Sequence, residues 1–71
     1  MTLQQFSTVL KQLREERGWS QEQLAELADL NRSYLGEVER GHAMPSLTTL
    51  GKLASAFGIR LSSLIERCEV A

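Results

Sequence analysis

Between Ser20 and Gly41 the chain reads SQEQLAELADLNRSYLGEVERG, two stretches of helical spacing joined by only three or four residues. A link that short leaves few options. It sets two short helices next to one another at a steep angle, roughly 90 to 120°. Ser20 with Gln23 forms a capping box, S-x-x-Q, at the start of the first stretch, and Asn31 is a favourable cap for the second. Leu24, Ala25, Leu27 and Ala28 give the first stretch a narrow apolar face, and Leu35 and Val38 give one to the second. Asp29 stands at the break, and aspartate tolerates a left-handed backbone better than most residues. Leu30 is expected to tuck inward and pin the turn.

The remaining segments are also helical in pattern. Leu3, Phe6, Val9, Leu10 and Leu13 recur at spacings of three and four, with Arg14 and Arg17 in the last turn, where cations suit the helix dipole. Ser46, after Pro45, caps a fourth helix with an inner stripe of Leu47, Leu50, Leu53, Ala54 and Phe57. Gly18, Gly41 and Gly58 serve as helix stops. Gly51 lies mid-helix at a cost of about 1 kcal/mol relative to alanine, so a close approach is expected there. IRLSSLIERC is a short fifth helix with Leu61, Leu64 and Ile65 apolar. Nothing alternates with period two for long enough to be a strand. The expected fold is all-α, five helices in one domain over residues 1–71.

A chain of 71 residues buries only about 60% of the surface it exposes when unfolded, so its stability is marginal without a staple. The one cysteine, Cys68, excludes an internal disulfide, and no Cys/His cluster has metal-ligand spacing, so neither a metal nor a cofactor is expected. Helix packing, helped by self-association, must supply the stability. The lone thiol suits a reducing cytoplasm, no apolar run approaches the length of a membrane span, and the N-terminus lacks signal-peptide anatomy. A cytoplasmic location follows as the expectation. An enzyme fails on inventory: one histidine, one cysteine and no glycine-rich phosphate loop leave no nucleophile–base pair.

The third helix carries more chemistry than packing needs. Opposite Leu35 and Val38 it presents Arg32, Ser33, Gly36, Glu37 and Arg40. The DNA major groove is about 12 Å wide and admits one helix. Arginine donates twice to guanine O6 and N7, serine bonds either kind of edge, and glutamate accepts from cytosine N4. A solvated helix face would carry the same residue types. The overall balance, eight Lys/Arg against nine Asp/Glu for a net charge of −1, argues mildly against nucleic acid. The placement of charge matters more, and Glu15, Glu16, Glu22, Glu26, Glu66 and Glu69 fall on segments expected to face away.

The stretch LREERGWSQEQLAELADLNRSYLGEVERG, continued by PSLTTLGKLASAFGI, resembles the Cro/cI-like (Xre family) helix-turn-helix regulators over about residues 9–66. The landmarks are Arg14, Gly18, Ser20, Gln21, Leu24, Ala25, Tyr34-Leu35, Glu39-Arg40-Gly41, Pro45-Ser46 and Phe57-Gly58. The resemblance implies a compact five-helix lambda-repressor-like DNA-binding domain, its helix-turn-helix at about 20–41 and recognition helix at 32–40. The partner it implies is double-stranded DNA, read by a homodimer on an inverted-repeat operator, with RNA polymerase a further partner if the protein activates. Arg32, Ser33 and Glu37 would be base readers. Gln21 would bond a phosphate by side chain and backbone N–H, Tyr34 would lie against the backbone or a thymine methyl, and Arg40, His42 and Ser46 would flank a second phosphate group. Arg14 and Glu39 resemble the pair that ties the first helix to the end of the third. Within the family the pattern looks most like the controller proteins of restriction–modification systems, though stand-alone phage and chromosomal regulators share much of it. Three positions depart from the family: Asp29 where most relatives have glycine, Glu37 with its negative charge, and Arg60 where a capping residue is usual.

One such module makes too few contacts for a specific site, and two modules about one helical turn apart read a palindrome. Leu61, Leu64, Ile65 and Val70 form the expected dimer seam, on a C-terminal helix at about 61–68. The competing reading puts Leu61, Leu64 and Ile65 in the core. Trp19 is expected to staple the second helix by packing near Leu24, Met44 to anchor its loop, and Cys68 to be a spectator or dimer-edge thiol near a frayed terminus. The rival function is a protein-interaction module of the same fold, such as an antitoxin that binds a toxin.

Overall fold

In the computed structural model, which describes residues 1–69, each of the first four helices begins at a side chain that accepts from its own first turn. Thr2 opens α1 (Leu3–Glu16), Ser20 opens α2 (Gln21–Leu27), Asn31 opens α3 (Arg32–Glu39) and Ser46 opens α4 (Leu47–Phe57). The fifth helix, α5 (Leu61–Glu69), starts with a bond from the Leu64 N–H to the Arg60 carbonyl at 3.0 Å. The caps of α1 and α2 are full capping boxes, in which Gln5 and Gln23 reach back to the backbone of Thr2 and Ser20. The described residues form these five helices and no strand.

The helix ends follow one scheme. The Leu30 N–H donates to the Ala25 carbonyl at 2.8 Å and the Asp29 N–H to Glu26 at 3.2 Å, a Schellman pattern that satisfies the last carbonyls of α2. Trp19 and Gly18 repeat it after α1, His42 and Gly41 after α3, and Ile59 and Gly58 after α4. The pattern needs a left-handed residue each time, and glycine fills it in three cases, with φ of 69° at Gly18, 75° at Gly41 and 70° at Gly58. At the end of α2 the residue is Asp29, φ 55°, the one non-glycine with positive φ among the described residues.

The core lies where all five helices converge. Leu10, Leu24, Leu35, Val38, Leu53 and Leu64 are each 0% exposed. α2 packs on α3, α1 on both α3 and α5, and α4 on α5. Trp19 stacks on Phe57, ring centroids 5.7 Å apart at 16°, and the Arg17 guanidinium lies over both rings. The tryptophan therefore bridges the α1–α2 turn to the end of α4, and it also borders α2 beside Gln23, Glu26 and Leu27. Three apolar assignments also change. Leu27 and Leu47 point to solvent, and Met44 is exposed rather than anchoring its loop. A side chain built on Gly51 would meet nothing within 4 Å, so no close approach explains that glycine.

Two expectations about α5 are corrected. Leu64 is wholly enclosed in the monomer core, so it is not free to form a dimer seam. Leu61 and Ile65 are only partly buried against the same core and keep an outward side. Cys68 is 1% exposed and belongs to the core cluster rather than a frayed end, and burial pushes its thiol pKa up. Val70 lies outside the described residues. Among the described residues no helix is long and apolar enough to cross a membrane, and no three His, Cys, Asp or Glu gather as metal ligands.

Candidate nucleic-acid interface

The α2–turn–α3 unit is held from beneath by a charged fork. Arg14, on the last turn of α1, donates from Nε to Glu39 Oε2 at 2.8 Å and from Nη2 to Oε1 at 3.0 Å. Its Nη1 donates to the Trp19 carbonyl at 2.8 Å. The two side chains are only 12% and 3% exposed, and every bond to the guanidinium is charge-assisted. One arginine thus fixes the end of α1, the turn before α2 and the last residue of α3. Glu39 Oε1 also accepts from Gln21 Nε2 at 3.2 Å, so the first residue of α2 is tied to the same carboxylate.

Above this fork, Gln21, Arg32, Ser33, Gly36, Glu37 and Arg40 line one concavity of about 300 Å³. Asn31 caps the helix that carries most of these residues: its Oδ1 accepts from the backbone of Ser33 at 2.8 Å and Tyr34 at 3.3 Å and so fixes the first turn of α3. Arg32 and Ser33 stand exposed on that turn. Further along, Glu37 Oε1 accepts from Arg40 Nη2 at 2.9 Å, and Glu37 Oε2 lies 3.3 Å from His42 Nδ1. The hydrogen bond and charge of Arg40, with a smaller contribution from His42, hold the Glu37 carboxyl below its ordinary value.

Tyr34 and Ser46 lie to one side of the concavity, linked through a residue that sequence reasoning missed. The Tyr34 hydroxyl makes a long bond of 3.5 Å to Thr49 Oγ1, and Ser46 Oγ donates to the same oxygen at 3.0 Å. Ser46 also accepts the Thr49 N–H as the cap of α4. Thr49 is buried and so joins the first turn of α3 to α4. Its only signal in the sequence is its place three residues after a capping serine. Lys52 is the second such residue: its Nζ donates to the Asp29 carbonyl at 3.3 Å and steadies the turn from α4.

Comparison with known proteins follows the same lines. The helix-turn-helix family model HTH_3 matches residues 10–64, and the chain belongs to that family. The crystal structure of the restriction-modification controller protein C.AhdI from Aeromonas hydrophila superposes with a TM-score of 0.83 at 47% identity, over 87% of this chain and 94% of that one. Control protein C.MunI of a Mycoplasma species is 40% identical over 65 residues, 90% of this chain and 88% of its own length. The HTH-type transcriptional regulator SutR of Escherichia coli (strain K12) is 42% identical over 60 residues, 84% of this chain. The chain spans only 34 to 46% of the length of several curated relatives, SutR among them.

Proposed function

We propose that residues 1–71 form a sequence-specific DNA-binding regulator of transcription that acts in the cytoplasm as a homodimer on an inverted-repeat operator. The observation that carries this reading is the concavity in which Gln21, Arg32, Ser33, Gly36, Glu37 and Arg40 converge at the junction of α2 and α3. Four of these six positions lie on α3, Arg40 is its C-cap and Gln21 opens α2, with the Arg14–Glu39 fork bracing both helices. The major groove, about 12 Å wide, admits one such helix. Relatives named as transcriptional regulator, immunity repressor and control protein support the same class.

In this account α3 lies in the major groove. Arg32 and Ser33, on its first turn, read base edges, and Glu37 accepts from a base amino group such as cytosine N4. Gln21, Tyr34, Arg40, His42 and Ser46 face phosphates and set the register without reading sequence. Two copies, joined through Leu61 and Ile65 of α5, place two recognition helices about one turn of DNA apart.

Fluorescence anisotropy with a labelled duplex of mixed sequence tests the class. The logarithm of the affinity should fall linearly with the logarithm of salt, by about 0.9 per phosphate contact neutralised. Absence of duplex binding at low salt, or binding indifferent to salt, would overturn the reading and direct the search to a protein partner on the face of Arg32, Ser33 and Glu37.

A further inference from the structure

Among the described residues that line the α2–α3 concavity, Glu37 alone is acidic, and its carboxylate is already engaged. One oxygen accepts from Arg40 Nη2 at 2.9 Å and the other lies 3.3 Å from His42 Nδ1. These are two of the groups that the proposed function assigns to phosphates. The bare backbone of Gly36 gives the pair room. A Cβ there would stand 3.2 Å from Arg40 Nη1 and 3.6 Å from Nη2, so with any other residue the guanidinium, which lies across α3, would shift by a few tenths of an ångström. The side chains of Arg40 and Glu37 remain 53% and 48% exposed, so the pair is open to exchange with an incoming ligand.

We infer that Glu37 is a specificity-determining residue that competes with DNA phosphates for Arg40 and His42. The inference rests on the DNA-binding reading. On a site that sets a base amino group opposite Glu37, the carboxylate exchanges its arginine for the base, and Arg40 and His42 move to phosphates. Every group then ends with a partner. On any other site one of two losses occurs. Either Arg40 stays on Glu37 and a phosphate contact is missing, or Arg40 leaves and the carboxylate is stranded beside the acceptors of the groove, where an unpaired charged group is costly. Wrong sequences therefore lose part of the protein's limited cationic contact, and the right one does not.

The test is a mutant cycle in which Glu37→Gln, Arg40→Gln and the double variant are compared with the unaltered chain. Each is titrated against a fluorescent pool of random 30-base-pair duplexes and against duplexes selected by the unaltered protein. Thermal melts confirm that these surface changes leave the fold intact. With Arg40 present, Glu37→Gln should tighten random-pool binding about threefold, the scale of an exposed ion pair, while the selected duplex gains nothing. With Arg40→Gln in place, the gain should largely disappear. The same gain in both backgrounds would mean plain charge repulsion by Glu37 and would overturn the inference, as would no gain at all. If the unaltered protein binds neither duplex in a salt-dependent way, the DNA-binding reading itself fails, an outcome distinct from failure of the competition.

Discussion

The guanidinium of Arg14 holds both carboxylate oxygens of Glu39, at 2.8 and 3.0 Å, across 25 residues of sequence. The pair ties α1 to the last residue of α3, and through Gln21 and the Trp19 carbonyl it also fixes the start of α2. Removing one partner leaves the other nearly enclosed and charged. Arg14→Ala should therefore cost about 3 kcal/mol of stability, toward the low end for breaking a buried pair because Arg14 keeps some exposure. A thermal melt followed by circular dichroism should show a drop well over 10 °C, at roughly 4–8 °C per kcal/mol for a domain of this size. An unchanged melting temperature would mean that the fork contributes nothing to the fold.

Leu64 and Ile65 are neighbours in sequence with different fates. Leu64 is 0% exposed in the core, so Leu64→Ala should cost roughly 2–5 kcal/mol. Ile65 keeps an outward side, and Ile65→Glu should lower the mass in solution from dimer to monomer while leaving helicity intact. Sedimentation and circular dichroism together distinguish the two. A dimer that survives Ile65→Glu would remove this face of α5 from the seam.

Asp29 holds φ at 55° with its side chain 98% exposed, its carboxylate 3.8 Å from Lys52 Nζ. The cost of the site is in the backbone. Asp29→Ala should lose about 1 kcal/mol, the price of a left-handed residue with an ordinary Cβ. Asp29→Asn removes the charge but tolerates the same backbone, and should stay close to the unaltered chain. Urea denaturation of the two variants measures the difference. Equal losses would shift the role of Asp29 to its charge.

Glu37 should leave a signature in pH. Arg40 holds its carboxyl below the ordinary value of 4.5, by hydrogen bond first and then by charge. A folded-state pKa lower than the unfolded one stabilises the fold at pH above the unfolded value, and that contribution is lost as pH falls through the folded value. Carbon-13 NMR of the Glu37 carboxyl should give a midpoint below 4.5, moving upward in Arg40→Gln. The same midpoint in both proteins would show that the pair does not persist in solution.

Most of the fold could be read from the chain because its punctuation is local. Ser20, Asn31 and Ser46 cap the helices they precede, and a cap needs only the next three residues. The α2–α3 link was equally plain, since Asp29 and Leu30 complete a Schellman pattern within six residues. What the chain did not announce is the fate of side chains that depend on elements far along it. Trp19 meets Phe57, 38 positions later, and no spacing near Trp19 announces it. Leu27 and Leu47 have helical spacing but face water, although Ala28 beside Leu27 and Pro45 before Leu47 are buried, so the side of the helix and not its end decides their exposure. Leu64 looked surplus to a small core, but α5 closes directly on α1 and α4 and uses it. In the candidate site the residue types were visible, but the partnership of Glu37 with Arg40 and His42 was not. It depends on rotamers, for which the bare backbone of Gly36 leaves room.

Selection of duplexes from a random DNA pool at two salt concentrations, with the mass of the complex measured alongside, tests the central claim most directly. The account predicts enrichment of an inverted repeat with half-sites about one helical turn apart, bound by two copies of the chain, with a preferred base pair that Arg32→Ala relaxes. A pool that emerges without enrichment at low salt would contradict it.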